Sequence, residues 1–387
     1  MTPGSRFELY SAGRLVFGRG AAERIGALAE GLGARALLVV GGRSAEASGL
    51  LARLEAQLSP AATARCTREP RVEDVDAVVQ AARAARCDHV VAVGGGAVLD
   101  CAKAAAALLT NPGELVDYLE GVGAGRAISV QPAPMLAAPT TAGTGSEVTK
   151  NAVVSGEHGG KPFKKSVRAA SMIPDVALVD PELTRGAPPA LTAACGMDAL
   201  TQVIEPYLSS GAGPITDALA LTGICAAARG LERAYRDGDD LEAREEMALA
   251  SVLGGLCLAN AGLGAVHGFA SPLGAHFPIA HGVCCAALLA PVMRANYRCS
   301  RGSAQGERIA RRLADVAQAL GAERDAEAGI ERVEALADAL QIPRLGELGL
   351  SAEDIPTIVA GSRGSSMRYN PIELSDEQLS AILAEAM

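Results

Sequence analysis

Two stretches of this chain combine residue types and spacing that can hold an anionic ligand. The first, Val90-Val91-Ala92-Val93-Gly94-Gly95-Gly96-Ala97-Val98-Leu99-Asp100-Cys101-Ala102-Lys103, runs from a β-branched segment through three glycines into a helical pattern. Glycines at such a turn let backbone N–H groups approach an anion, and the helix N-terminus that follows adds partial positive charge. That chemistry suits a pyrophosphate, although a ligand-free strand-to-helix turn has the same composition, and the G-x-G-x-x-G spacing is absent. The second stretch, Ala138-Pro139-Thr140-Thr141-Ala142-Gly143-Thr144-Gly145-Ser146-Glu147-Val148-Thr149, crowds hydroxyls and glycines behind a short apolar run. It offers donors and acceptors to ribose hydroxyls or a carboxamide; a self-capped surface loop is the plainer reading. Two such loops in one region favour a dinucleotide. The chain has only five histidines, and three of them fall at His267, His276 and His281.

These loops need a scaffold, and the chain changes character along its length. Through about Pro189, short β-branched runs alternate with helical patterns and glycine turns, as in a parallel sheet with crossover helices. Ala36 to Val40, His89 to Val93 and Ala177 to Asp180 read as strands, the last ended by Pro181. Beyond Pro188-Pro189 come long alanine- and leucine-rich helical segments with glycines at the breaks. We therefore expect an α/β domain over residues 1–187 and an all-helical domain over 188–387, packed directly together with the ligand in the cleft between them.

At 387 residues the chain exceeds the usual size of a single core, which supports two domains. Its net charge of -9 and the absence of a dense Lys/Arg cluster argue against nucleic acid as a partner. All five lysines lie between Lys103 and Lys165, and the densest run, Lys161 to Lys165, holds three. Nine cysteines without a C-x-x-C pair read as reduced thiols of a cytoplasmic protein. The N-terminal MTPGSRFELY lacks a signal-peptide pattern, and no apolar stretch approaches the roughly 18 residues of a membrane span.

The two loops carry a resemblance. Gly94 to Lys103 is similar to the GGGS-x-x-D-x-A-K motif of the iron-containing alcohol dehydrogenases, and Pro139 to Thr149 resembles that family's second signature. The likeness continues through Ala177 to Thr184, Gly196 to Thr201, Ala261 to Gly268 and Asn370-Pro371. It implies the dehydroquinate synthase-like fold: an α/β dinucleotide-binding domain with a parallel sheet, plus an all-α domain. It also implies hydride transfer between a nicotinamide cofactor and a small alcohol, aldehyde or ketone, in a homodimer or larger homo-oligomer. Carried over, pyrophosphate contacts fall on Gly95, Gly96 and Ala97, with Asp100 near the cofactor. Thr140, Thr141 and Thr144 meet the nicotinamide half, Lys164 the ribose and Leu183 the ring. Asn151, Leu258 and Ser366 line the substrate pocket. At Gly41, NAD-preferring members often have aspartate; glycine removes its repulsion of a 2'-phosphate, which Arg43 and Ser44 can bind, so the cofactor is written NAD(P)(H).

The resemblance also implies a divalent metal, Fe2+ or Zn2+, held by an aspartate, a histidine four positions later and two further histidines. Asp198, His267 and His281 match three of these places, and the fourth is Gln202, a poorer donor than imidazole. Ser271 also departs from the family, where many members have another histidine. With metal, His267 and His281 serve as ligands; without it, either can donate to the substrate oxygen or act as general acid. A metal-independent relative, maleylacetate reductase, would want a cationic patch, for which Lys150, Arg168 and Arg363 are candidates. A nucleotide-binding sensor or assembly subunit with decayed catalysis is the reading from another class.

Overall fold

The computed structural model describes residues 7–387 and resolves them into two units. One is built from Tyr10–Thr141 and Gly145–Thr184; the other from Arg185–Met387 together with Ala142–Thr144. The short insert that includes Thr144 groups with the helical unit.

The first unit carries a six-stranded parallel sheet. Its strands are β1 (Arg14–Phe17), β2 (Ala36–Val40), β3 (Ala62–Arg65), β4 (His89–Gly94), β5 (Met135–Pro139) and, after a hairpin, β8 (Val176–Val179), in the spatial order β1-β8-β5-β4-β2-β3. The hairpin, β6 (Asn151–His158) and β7 (Lys161–Arg168), is antiparallel and separate from the sheet. Crossovers are supplied by α1 (Ile25–Ala29), α2 (Arg43–Ala47), α3 (Leu50–Leu58), α4 (Val72–Ala84) and α5 (Gly96–Thr110). β2, β4 and β5 are buried along their whole length, as central parallel strands covered on both faces must be. Period-two alternation divides their side chains: Leu37, Val39, Val90 and Ala92 join one core, and Leu38, Val40, Val91 and Val93 the opposite one.

The second unit is helical throughout its described residues: α6 (Pro189–Leu208), α7 (Pro214–Arg236), α8 (Leu241–Ala261), α9 (Ala265–His276), α10 (His281–Ser300), α11 (Ala304–Ala319), α12 (Ala326–Ala339), α13 (Ile355–Gly361) and α14 (Asp376–Ala386). Its core gathers apolar faces of these helices around α6 and α10. Small residues allow the close approach. A Cβ on Gly196 of α6 would sit 2.1 Å from Leu231 of α7, and one on Gly230 of α7 2.8 Å from the Ala243 carbonyl of α8. Among the described residues no single helix is long and apolar enough to cross a membrane.

Candidate active site

In the α/β unit the strand register brings the glycine turns together. Val40 pairs with Val93, and Gly94 with Pro139, so β2, β4 and β5 end side by side. Gly41, the Gly95-Gly96-Ala97 turn and Thr140-Thr141 all emerge from that edge; the Thr140 amide donates to the Gly94 carbonyl at 2.9 Å. The chain runs outward from β2 to β3 and returns on the other side at β4, so this edge lies at a reversal of strand order, the usual ligand crevice of open parallel sheets. α5 begins there without a side-chain cap, leaving its first-turn N–H groups suited to an anion. Gly94 itself is required by packing, since a Cβ would lie 2.5 Å from Val98. Leu183 sits half-buried just beyond β8, the neighbour of β5.

Two residues expected beside the cofactor have internal partners. Asp100 accepts hydrogen bonds from the Ser146 hydroxyl and, at 2.9 Å, from the Val153 amide, tying α5 to the hairpin. Lys164, 7 % exposed, is paired with Glu69 at 2.6 Å. Behind them Lys103 is buried, with its ammonium 2.9 Å from the Thr149 hydroxyl and 3.3 Å from Asp100. Burial depresses its pKa against the opposing pull of Asp100.

Glu147 is buried nearby, with neither carboxylate oxygen hydrogen-bonded, and burial pushes its pKa up to about 7 despite Lys103. The folded state then holds this proton more tightly than the unfolded chain, whose ordinary value is 4.5. Stability is therefore greatest below the unfolded value and declines as pH climbs toward 7, by roughly 3 kcal/mol in all. Glu147→Gln should abolish that decline, raising Tm relative to the parent more at pH 8 than at pH 5. Thermal unfolding at both pH values checks it; a pH-independent difference would mean that Glu147 stays charged in the fold.

In the helical unit, Asp198 from α6, His267 from α9 and His281 and Cys285 from α10 converge. One ligand atom of each lies within 4.8 Å of all the others. Asp198 Oδ1 is 3.5 Å from His267 Nε2 and 3.7 Å from His281 Nε2; Cys285 Sγ is 3.8 Å and 3.7 Å from the same nitrogens. Asp198 and Cys285 are fully enclosed, while the His281 side chain keeps 31 % of its exposure and marks the open side of the cluster.

The imidazole of His267 is aimed by Glu205, also on α6. Glu205 Oε2 contacts His267 Nδ1 at 2.6 Å, which leaves Nε2 facing the cluster, and Oε1 accepts from the Val266 amide at 2.8 Å. Asn370 Oδ1 accepts from the Ala265 amide, so two side chains satisfy first-turn donors of α9. Gly264 leaves room for both carboxamide and carboxylate, since its Cβ would lie 2.8 Å from Glu205 and 3.0 Å from Asn370. Gln202 shares the helix face, but its Nε2 donates to the Gly143 carbonyl at 3.0 Å and so anchors the Ala142–Thr144 segment.

Sequence reasoning missed Glu205 and Cys285. Both had a positional signal: Glu205 follows Asp198 by seven positions and Cys285 follows His281 by four, spacings that share a helix face. Reading the nine cysteines together as reduced thiols concealed the second of these.

Two buried oxygens in this region, Asp198 Oδ1 and Gln202 Oε1, have no hydrogen-bond partner. Orphaned acceptors are costly unless something electropositive meets them. Without an ion, burial opposes the charge on each member, yet the members sustain one another. Asp198 is held below the ordinary carboxylate range against burial by His281 and His267. Burial raises the Cys285 thiol, but both imidazoles outweigh it and the net shift is downward. His267 is driven well up, burial being overcome by Cys285, Asp198 and Glu205. A buried carboxylate, two imidazoles and an acidified thiol, with unpartnered oxygens, fit a divalent cation.

The remaining expected residues lie on other elements. Leu258 on α8 and Ser366 before a short 3-10 turn are half-buried in the helical unit, and Asn151 opens β6 in the other unit. Ser271 and His276 lie on α9, half-buried and exposed respectively. The three cations considered for a dicarboxylate all have partners: Lys150 lies over the Tyr10 ring at 4.5 Å, Arg168 pairs with Glu120, and Arg363 with Asp376.

Comparison with known proteins agrees with this layout. Residues 12–181 match the model of the iron-containing alcohol dehydrogenases, and residues 192–387 that of the C-terminal region of the Fe-containing alcohol dehydrogenase family. Alcohol dehydrogenase 4 of Saccharomyces cerevisiae is 37 % identical over 378 residues, 96 % of each chain. A crystal structure of 1,3-propanediol oxidoreductase superposes with a TM-score of 0.87 at 31 % identity, covering 99 % of this chain and all of the other. Sulfoacetaldehyde reductase from Bifidobacterium kashiwanohense, solved in complex with NAD+, gives 0.86 at 31 % identity and 98 % of both chains.

Proposed function

Since this chain belongs to the iron-containing alcohol dehydrogenase family, we propose that its α/β unit takes either NAD(H) or NADP(H) and that its helical cluster engages the oxygen of a small alcohol, aldehyde or ketone. The protein is an oxidoreductase of the alcohol dehydrogenase type. The observation that carries the reading of the cluster is the convergence of Asp198, His267, His281 and Cys285, with Asp198 Oδ1 buried and without a hydrogen bond. When bound, the nicotinamide supplies or accepts hydride at C4 and a divalent cation supplies Lewis acidity to the substrate oxygen.

The chain's own residues set up that chemistry. The amides of Gly95, Gly96 and Ala97 at the head of α5 meet the pyrophosphate, and Thr140, Thr141, Thr144 and Leu183 address the nicotinamide half. Glu205 faces His267 Nδ1 and keeps a proton there, so that once an ion displaces the proton on Nε2 the lone pair of that nitrogen is directed inward. His281, the partly exposed member, borders the open side of the cluster, by which a substrate oxygen can approach. The dicarboxylate-binding alternative has less support, because Lys150, Arg168 and Arg363 are occupied by Tyr10, Glu120 and Asp376.

The test is oxidation of NADH and NADPH against an aldehyde panel, with and without chelator; turnover untouched by exhaustive chelation would reject metal assistance. Cofactor breadth has its own check. Gly41 follows β2 directly, a Cβ there meets only Val98 at 3.9 Å, and Arg43 and Ser44 are exposed beyond it. Gly41→Asp should lower the NADPH-to-NADH ratio of kcat/KM by about tenfold, the repulsion expected between a carboxylate and a nearby dianion in a solvated site. An unchanged ratio would remove Gly41 from the 2'-phosphate environment.

A further inference from the structure

We propose that Cys285, and not Gln202, is the fourth metal ligand of this chain, making the centre an Asp-His-His-Cys site suited to zinc. The inference rests on the metal-assisted reading of the same cluster and specifies its donor set. Three observations converge on it. Gln202 gives its amide nitrogen to the Gly143 carbonyl, which ties the side chain to the Ala142–Thr144 segment, and the Oε1 it leaves is a neutral amide oxygen, a weaker donor to a borderline-soft ion than a thiolate. Cys285 Sγ stands 3.7–3.8 Å from both inward-facing imidazole nitrogens, and Asp198 Oδ1 stands 3.5–3.7 Å from them. Around a tetrahedral ion with metal–nitrogen and metal–oxygen distances of about 2.0–2.1 Å and metal–sulfur of about 2.3 Å, neighbouring donors are about 3.3–3.6 Å apart. The four measured edges lie at the upper end of that range or slightly beyond it, and the two remaining donor separations stay within 4.8 Å. The buried Asp198 Oδ1, without a hydrogen-bond partner, is aimed into the cluster.

The placement also has a simple helical origin. The lost α6 donor would have stood four residues after Asp198; the replacement stands four residues after His281 on α10, again on one helix face. Donor number is preserved while donor chemistry changes from imidazole to thiolate. Binding displaces the thiol proton to solvent and leaves sulfur as an anionic ligand, so the centre gains one negative charge. Soft thiolate favours Zn(II) over Fe(II), and Co(II) is a faithful spectroscopic stand-in for the former.

The experiment loads metal-free full-length protein with Co(II) and records its absorption, with zinc retention against a competing chelator measured in parallel. The expected result is a thiolate-to-cobalt charge-transfer band in the near ultraviolet, absent from Cys285→Ser, whose zinc retention falls tenfold or more. The double variant Cys285→Ser/Gln202→His should regain retention without regaining the band, which separates loss of a ligand from loss of folding. A band that persists in Cys285→Ser, or Co(II) bound to the parent without any such band, would overturn the assignment; so would a parent that binds no Co(II). Chelator-sensitive turnover with no thiolate band would sink the Cys285 assignment and leave metal-assisted reduction standing, so the two failures are distinguishable.

Discussion

Asp198→Asn should strip the protein of bound metal and reduce kcat/KM for aldehyde reduction by about 10³-fold, a loss on the order of 4 kcal/mol in transition-state stabilisation. The substitution keeps shape and volume, so the effect is electrostatic. Asp198 is almost completely buried, and its Oδ1 is shared at 3.5–3.7 Å between His267 and His281 without a hydrogen bond of its own. A neutral carboxamide there would set an amide group against imidazole nitrogens that face inward, and the cation would lose its only carboxylate. Metal content per chain after dialysis, alongside steady-state kinetics, checks the pair of effects. Retention of stoichiometric metal with full activity would place the reacting centre elsewhere.

The second large effect belongs to a residue that touches neither substrate nor ion. In Glu205→Gln, the side-chain oxygen can still accept from the Val266 amide and preserve the start of α9. The amide nitrogen then faces His267 Nδ1, where the carboxylate now stands at 2.6 Å. A donor facing Nδ1 forces the ring proton onto Nε2 and points N–H into the cluster instead of a lone pair. Metal affinity should fall by about 10- to 100-fold, the usual range for such orienting carboxylates. Activity should follow it, while thermal stability drops by only about 1–2 kcal/mol because no hydrogen-bonding position is vacated. Chelator competition and thermal unfolding on the same preparation separate the roles. A large loss of stability with unaltered metal affinity would make Glu205 a structural cap only.

Much of the fold is legible in the chain itself. Ala36–Val40 and the run beginning at His89 read as buried strands because central parallel strands need apolar residues on both faces, and both occur as β2 and β4. The helical second half is equally plain, its alanine-rich segments lacking β-rich runs. The β6–β7 hairpin was not foreseen, since its residues are mixed in polarity and, apart from an isolated bridge between Ser155 and Arg71, its ladder is internal. At the site, family spacing pointed to Asp198, His267 and His281, which lie together with Cys285, whereas the roles of Asp100 and Lys164 as internal ties were hidden. A charged side chain in a motif does not disclose its partner; Glu69 lies 95 residues from Lys164.

The sequence alone determined the local matters: a glycine turn feeding a helix, the two classes of domain, and which residue types could bind an anion or a cation. Those follow from periodicity and backbone freedom, which act over a few neighbours. Only the tertiary structure decided how the cluster is completed. Gln202 gives its amide nitrogen to Gly143 while its Oε1 stays without a hydrogen bond, and Cys285 on α10 comes to 3.7–3.8 Å from both inward imidazole nitrogens. The physical reason is that coordination depends on where three helices cross, and such crossings are set by packing among residues far apart in the chain.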